Sequence, residues 1–111
     1  MIVLIVEPGK TPRTAEIGGS LESMQAVVGG YIQAVYPFDD EIALICNEEG
    51  KILSLPFNRS LYSPETGVVY DIVVGTFFMC AASTEESNFG SLSEEQIRRC
   101  TRYLEGCGLG D

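Results

Sequence analysis

The sequence predicts a single α+β domain built on a mainly antiparallel β-sheet. Short apolar segments rich in β-branched residues alternate with Gly and Pro turns, a pattern that is typical of strands. Two other segments carry helix-capping residues, and a length of 111 residues suits one domain, here residues 1–111. These observations predict one helix after the first hairpin and one at the end of the chain. If the first helix lies across the sheet, the arrangement resembles a β-grasp fold.

The chain opens with two segments that favour a hairpin. Residues 2–6 read Ile-Val-Leu-Ile-Val, a run too short for a buried helix, which predicts a central strand. A turn at residues 7–10 lets residues 13–17 pair back as a second strand. Pro8 and Pro12 place this second strand at an edge of the sheet, because proline lacks the N–H group that a central strand donates.

The first helix is predicted over residues 21–28. Ser20 is a good N-cap, and an apolar stripe follows it at helical spacing. Gly29 and Gly30 end the helix where a residue in the left-handed conformation is favoured. The stripe consists of Leu21, Met24, Val27 and Val28.

The middle of the chain predicts three strands. Residues 31–36 alternate well enough to be a strand, residues 42–46 give a further strong strand signal, and the two flank a turn through residues 39–40. Residues 47–50, Asn-Glu-Glu-Gly, have the turn residues that favour a β-hairpin. Residues 51–55 are therefore predicted to return as a strand.

The second half of the chain begins with a predicted loop. Residues 56–67 have an irregular, turn-rich composition, whereas residues 68–82 are apolar almost throughout. The apolar run predicts either one long strand bent at Gly75 or two short strands. Residues 84–90 are predicted to form a second loop.

A closing helix is predicted from a capping box. Ser93 and Gln96 are spaced so that each side chain can bond the other residue's backbone N–H. The helix is expected to run to about residue 105, and residues 106–111 are expected to be a frayed tail. The residues expected to face inward are Ile97, Cys100 or Thr101, and Leu104.

Net charge is the unusual bulk property. Sixteen acidic residues against seven basic ones give a charge of −9. Direct nucleic-acid binding is disfavoured because it depends on clustered Lys and Arg, and an anionic membrane surface is disfavoured for the same reason. The sequence has neither the basic flank of a signal peptide nor the roughly 20 apolar residues of a membrane span. It predicts a cytoplasmic protein whose acidity keeps it soluble.

The sequence offers little for catalysis. It has no histidine, and its four cysteines are spread without a Cys-x-x-Cys pair, so we predict no catalytic residue, no metal and no cofactor. Cys46 and Cys80 lie in apolar strand patterns and are expected to be buried, reduced thiols. Cys107 lies among glycines near the end of the chain and is expected to be exposed and reactive.

Arg59 is the cation best placed for a binding role. It follows Asn58 where a predicted strand meets the long loop, and its guanidinium could hold a carboxylate or phosphate. The alternative is a surface salt bridge, worth ~1 kcal/mol or less. A protein-binding patch is a further expectation if the aromatic residues that flank loops are exposed together. These residues are Tyr31, Tyr36, Phe38, Tyr62, Tyr70 and Phe89.

Four motifs occur in order along the chain, together with two shorter segments. The motifs are Val28-Gly29-Gly30-Tyr31-Ile32-Gln33, Asn47-Glu48-Glu49-Gly50-Lys51, Leu55-Pro56-Phe57-Asn58-Arg59 and Ile72-Val73-Val74-Gly75-Thr76, and the segments are Glu7-Pro8-Gly9-Lys10 and Leu92-Ser93-Glu94-Glu95-Gln96. Together they resemble domain-of-unknown-function family 3846. The resemblance covers most of the chain and implies a small bacterial, phage or mobile-element protein with no established activity or catalytic residue. It also implies that Glu usually occupies the position of Gln33, which argues against a required carboxylate there.

Two functional hypotheses follow. The first is a non-catalytic interaction module, or a modulator of host machinery encoded on a mobile element or prophage, which binds a protein partner. It predicts an exposed apolar or acidic patch, and open sheet edges in residues 68–82 would also suit a homodimer. The second is a domain that binds a small anionic ligand, or an enzyme, with Asn47, Asn58 and Arg59 converging in a pocket. The candidate binding residues are Tyr31, Asn47, Asn58, Arg59 and Tyr62.

Overall fold

In the part of the chain that the structure describes, eight strands and two helices form the α+β fold that the sequence predicts. The computed structural model describes residues 1–38, 41–82 and 89–107, so the predicted turn at residues 39–40, most of the predicted loop at 84–90 and residues 108–111 lie outside it. The elements are β1 (Ile2–Val6), β2 (Arg13–Glu16), α1 (Leu21–Val28), β3 (Ile32–Val35), β4 (Ile42–Asn47), β5 (Phe57–Tyr62), β6 (Val69–Val74), β7 (Phe77–Ala82), β8 (Phe89–Gly90) and α2 (Glu94–Glu105).

The main sheet has the strand order β2-β1-β7-β4-β3, with β8 beside β7. Every pair in it is antiparallel, and β2 lies at an edge as its flanking prolines predict. Strand β7 joins the two halves, because Met79 pairs with Leu4 of β1 on one side and with Leu44 of β4 on the other. Strands β5 and β6 form a separate two-stranded sheet.

Alternation along the central strands divides the core between two layers. Val3, Ile5 and Ile45 face α1, whereas Leu4 and Leu44 face the layer made by α2 and the β5–β6 sheet. This period of two is what a sheet buried on both faces requires. Helix α1 therefore lies across one face of the sheet after the first hairpin, which is the feature expected of a β-grasp-like arrangement.

The caps of both helices are confirmed. The Ser20 hydroxyl accepts the Ser23 N–H at the start of α1, and Gly29 ends that helix in the left-handed conformation. Ser93 and Gln96 form the reciprocal capping box at the start of α2.

The predicted hairpin at residues 47–55 is wrong. Residues 48–54 form consecutive turns instead of a return strand, and Ile52 and Leu53 are exposed. The local turn signal is real, since the Asn47 side chain accepts the Glu49 N–H at 2.8 Å. A return strand has no place beside β4, however, because β3 and β7 occupy both of its hydrogen-bonding edges.

Three further expectations are corrected in the second half of the chain. The predicted loop at 56–67 contains β5, and the apolar run at 68–82 is two strands with a turn at Gly75, as the second alternative held. Gly106 and Cys107 are not a frayed tail: their N–H groups donate to the last turn of α2, and the Cys107 carbonyl accepts the Ser60 N–H. Cys107 is consequently buried and not exposed.

Among the helices of the described residues, none combines the length and the apolar character that crossing a membrane takes.

Candidate functional site

Asn58 and Arg59 form a polar network at the centre of the protein. Both side chains are completely buried. The Asn58 amide donates to the carbonyl oxygens of Val6, at 2.9 Å, and Gly75, at 2.8 Å. Arg59 donates through Nη1 to the Asn58 side-chain oxygen at 2.8 Å and through Nη2 to the Lys10 carbonyl at 2.6 Å. The network thus ties three chain segments together, and its groups are directed at the backbone.

The Arg59 charge has no carboxylate partner among the described residues, and its Nε–H meets no acceptor there. Burial lowers the pKa of the guanidinium, while the nearby Cys107 thiol acts in the opposite direction. The same burial raises the pKa of Cys107 to about 11, which Arg59 partly offsets. At neutral pH the Cys107 thiol is therefore protonated and is not a nucleophile.

Asn47 and Tyr31 lie away from this network. The Asn47 amide is buried and donates to the Val28 carbonyl at 3.2 Å, so it fastens the end of α1 to β4. Tyr31 is exposed and lines a shallow cavity of about 210 Å³ with Asn47 and Leu53. The five candidate binding residues are thus distributed over separate places.

Tyr62 belongs to a third place, where β5 meets α2. Its ring stacks on that of Tyr103 with 4.4 Å between the centroids. The Tyr62 hydroxyl donates to the Tyr103 carbonyl at 2.8 Å, and the Tyr103 hydroxyl donates to the Tyr62 carbonyl at 2.7 Å. Phe38 meets the other side of Tyr103 edge to face at 5.0 Å. These reciprocal contacts hold three aromatic rings in one fixed arrangement.

A wide groove opens beside this aromatic stack, with a volume of about 470 Å³. Tyr36 and Tyr70 are exposed on its walls, and the Arg99 guanidinium lies 4.3 Å from the centre of the Phe38 ring. Burial raises the pKa of the Tyr70 hydroxyl, although a side-chain hydrogen bond with Tyr103 acts against it. We call this site the aromatic groove; its lining residues are Tyr36, Pro37, Phe38, Ser63, Pro64, Glu65, Tyr70 and Arg99.

Strand β6 continues the groove as an exposed apolar strip. Its first four residues, Val69 to Ile72, are all exposed, and so is Val68 just before them. A strand of a folded domain normally buries one of its two faces, so exposure of four consecutive residues is unusual. The strip runs from Tyr70 in the aromatic groove to Ile72 in a second, smaller cavity of about 130 Å³.

The smaller cavity is polar at its rim. Lys51 Nζ lies 2.7 Å from Asp71 Oδ1, and this ion pair lowers the pKa of the Asp71 carboxyl. The same oxygen accepts the Ile72 N–H at 2.8 Å. Cys46 also lines the cavity. Burial is the main cause that raises the pKa of its thiol, and the nearby Asp71 carboxylate raises it further. Gln33 also lines this cavity.

The described residues contain no group of three or more Cys, Asp or Glu side chains arranged to hold a metal ion. Burial raises the pKa of the Cys46, Cys80 and Cys107 thiols, so these three thiols are protonated at neutral pH. The aromatic groove and the strip on β6 expose aromatic and apolar side chains.

The sequence pointed to part of this surface. Tyr36, Phe38 and Tyr70 are among the aromatics expected to form a patch, and the fold brings them to one groove. The exposed face of β6 was missed, because an almost continuous apolar run is the signal of a buried strand. The polar Asp71 in the middle of that run is the one sequence feature that marks it as exposed.

Comparison with known proteins gives one match. No curated protein and no solved structure matches the chain. The family described as "Domain of unknown function (DUF3846)" matches residues 1–105, nearly the whole length. The chain therefore belongs to the DUF3846 family.

Proposed function

We propose that this protein is a non-catalytic interaction module that binds a segment of another protein along β6 and in the aromatic groove. The observation that carries the proposal is the exposed apolar strip of β6, which ends in a groove with two exposed tyrosines. Tyrosine is enriched among the residues that dominate binding energy at protein interfaces, and a contiguous exposed apolar patch is typical of an interaction site.

The charge of the chain indicates what kind of protein fits. A net charge of −9 attracts a basic partner and repels a second copy of the chain. The surface itself contains the acidic side chains Glu65 and Asp71 next to the apolar strip. We therefore favour a basic partner over a homodimer through the same strand.

The competing function, binding of a small anion by Asn47, Asn58 and Arg59, has less support. Asn58 and Arg59 are completely buried and bonded to the backbone, and neither lines the cavities that Asn47 lines. Their geometry favours a structural role, in which the guanidinium binds carbonyl oxygens in place of a ligand.

Site-specific photo-crosslinking tests the interaction. Tyr70, which is 53% exposed, is replaced by p-benzoylphenylalanine in cells that naturally make the protein. Leu21 serves as the matched control position, since it is 54% exposed but lies on α1, on the other face of the main sheet. We expect a discrete crosslinked protein at position 70 that is absent at position 21.

The crosslinked protein is then purified and titrated against the unmodified chain. Binding should be lost in Tyr36→Ser and Ile72→Ser, and retained in Leu21→Ser. Identical products at both crosslinking positions, no product at position 70, or binding that is indifferent to Tyr36 and Ile72 would contradict the proposal. The identity of the crosslinked protein also tests whether the module acts on the host's own machinery, as the family resemblance predicts.

A further inference from the structure

We infer that the aromatic groove takes a proline-containing segment in the polyproline II conformation, with a basic residue beside its prolines. The inference rests on the proposed function and deepens it, because it names the chemistry and the conformation of the bound segment. Grooves lined by aromatic rings are the usual recognition surfaces for polyproline II ligands, since flat ring faces pack well against proline rings.

The walls of the groove have the required shape and chemistry. Tyr36 and Tyr70 are exposed in its lining, and Pro64, which is also exposed, adds rigid apolar surface. A volume of about 470 Å³ is in the range of ligand-binding clefts and exceeds that of the other two cavities described.

The base of the groove is fixed before any ligand arrives. Phe38 is buried and packs edge to face on Tyr103, whose backbone and hydroxyl are both bonded to Tyr62. Rings held in this way lose little side-chain entropy on binding, so even a short segment can bind measurably.

The backbone of β6 argues against a ligand that adds as a further strand. Strand addition needs outward N–H and C=O groups, but the Ile72 N–H already donates to Asp71 Oδ1 at 2.8 Å. The Lys51 ammonium holds that carboxylate in place at 2.7 Å. Register shifts also interrupt the β5–β6 pairing near Tyr62. A polyproline II segment binds through its side chains and carbonyls, so it does not require this edge.

The negative charge of the chain favours a basic residue in the bound segment. Among the described residues, the groove lining carries one carboxylate, the exposed Glu65, and one cation, Arg99, whose guanidinium lies over the Phe38 ring. The basic residue of the ligand is therefore favoured by the charge of −9 on the chain as a whole, and an Arg or Lys can pair with Glu65 while the prolines pack on the tyrosines. Residues 8–13 of this chain contain two half-buried prolines and two basic residues, so a second copy of the chain is an outcome that the test includes.

The test is a fluorescence-anisotropy titration with a set of labelled decapeptides. Each peptide contains three or four prolines and one arginine at a varied spacing. Three matched series replace the prolines by alanine, replace the arginine by glutamate, or use a basic strand-forming sequence rich in valine and threonine. We expect binding in the proline–arginine series alone. Tyr70→Ala should weaken it about tenfold or more, and Glu65→Gln about threefold, whereas Leu21→Ala should leave it unchanged.

Several results would overturn the inference, and they separate it from the proposed function. Equal binding of the alanine series removes the polyproline requirement, and equal binding of the glutamate series removes the basic residue. Binding of the strand-forming series alone, or crosslinking at position 70 without binding of any peptide, leaves an interaction module with a different ligand. Concentration-dependent self-association that Tyr70→Ala abolishes assigns the groove to a second copy of the chain. Failure of both peptide binding and crosslinking removes the proposed function as well.

Discussion

Asn58 is the residue on which the interior most depends. Its amide donates to Val6 and Gly75, and its oxygen accepts from Arg59, so one side chain satisfies three buried polar groups. Leaving a buried polar group unpaired costs free energy of folding, because water cannot reach the group to replace the lost hydrogen bond. The sequence marked Asn58 and Arg59 as a pair of interest but could not show their burial, since polar residues in a turn-rich segment are normally exposed.

We predict that Asn58→Ala lowers the free energy of unfolding by about 3 kcal/mol, because it leaves two carbonyls and one guanidinium N–H without a partner. Urea unfolding monitored by circular dichroism measures the change. Gln33→Ala is the matched control, since Gln33 is exposed, and it should stay within about 0.5 kcal/mol of the wild type. A loss below about 1 kcal/mol for Asn58→Ala would indicate that water replaces the amide in the interior.

Cys107 is expected to make the free energy of unfolding depend on pH in the alkaline range. Burial raises the pKa of its thiol from about 9 to about 11, so the folded state holds this proton more tightly than the unfolded chain does. The stabilisation is complete below pH 9 and is lost as the pH rises through 11. We expect the unfolding free energy to fall across this interval by on the order of 2 kcal/mol from Cys107 alone.

Cys107→Ala isolates this contribution. Cys80, whose pKa burial raises to about 12, acts with the same sign and remains in the variant. The decline in stability between pH 9 and 11 should therefore become smaller in Cys107→Ala without vanishing. An unchanged decline would assign the alkaline sensitivity to other groups.

At the scale of elements, the sequence predicted best where the signal was local. The caps of both helices are decided by residues within one turn of the chain, such as Ser93 and Gln96, and these were located correctly. The prediction of a strand at residues 51–55 is wrong because strand pairing depends on residues that are far apart in the sequence. The turn after Asn47 was recognised. The edge of β4 where a return strand would pair is occupied by β7, which comes much later in the chain.

Gly75, in the turn between β6 and β7, is expected to tolerate substitution poorly. It has a φ of 75°, and a Cβ there would lie 2.7 Å from Leu55 Cδ1. Gly67 has the same φ of 75° but open space around it, which makes it a matched control. We predict that Gly67→Ala costs about 1–2 kcal/mol from the left-handed backbone and that Gly75→Ala costs more, by about 1 kcal/mol or above.

Unfolding in urea compares the two alanine variants directly. Equal losses would show that Leu55 moves aside without consequence, in which case the backbone conformation alone explains both. A larger loss in Gly75→Ala would show that the β6–β7 turn depends on the close approach of Leu55.

At the scale of the whole molecule, charge and exposed surface act against each other. The apolar strip of β6 favours association, whereas the charge of −9 opposes contact between two copies. We predict that the purified protein is a monomer at micromolar concentration in about 0.15 M salt, where charges are screened beyond roughly 8 Å.

Sedimentation velocity measures this directly. A dimer that persists at low salt and dissociates in Tyr70→Ser would contradict the prediction and would point to self-pairing through β6.

The site could be predicted from the sequence only as a set of aromatic residues. Tyr36 and Tyr70 are far apart in the chain, and tertiary folding alone brings them to one groove.

The central position of β7 has a consequence for how the chain acquires its structure during synthesis. The β1–β2 and β3–β4 hairpins pair residues that are close in sequence, but they share no strand until Met79 pairs with both Leu4 and Leu44. Contacts of such long sequence separation form slowly. We expect a nascent chain that has not reached Phe77 to contain three separate hairpins, β1–β2, β3–β4 and β5–β6, and its core to close only when most of the polypeptide has left the ribosome.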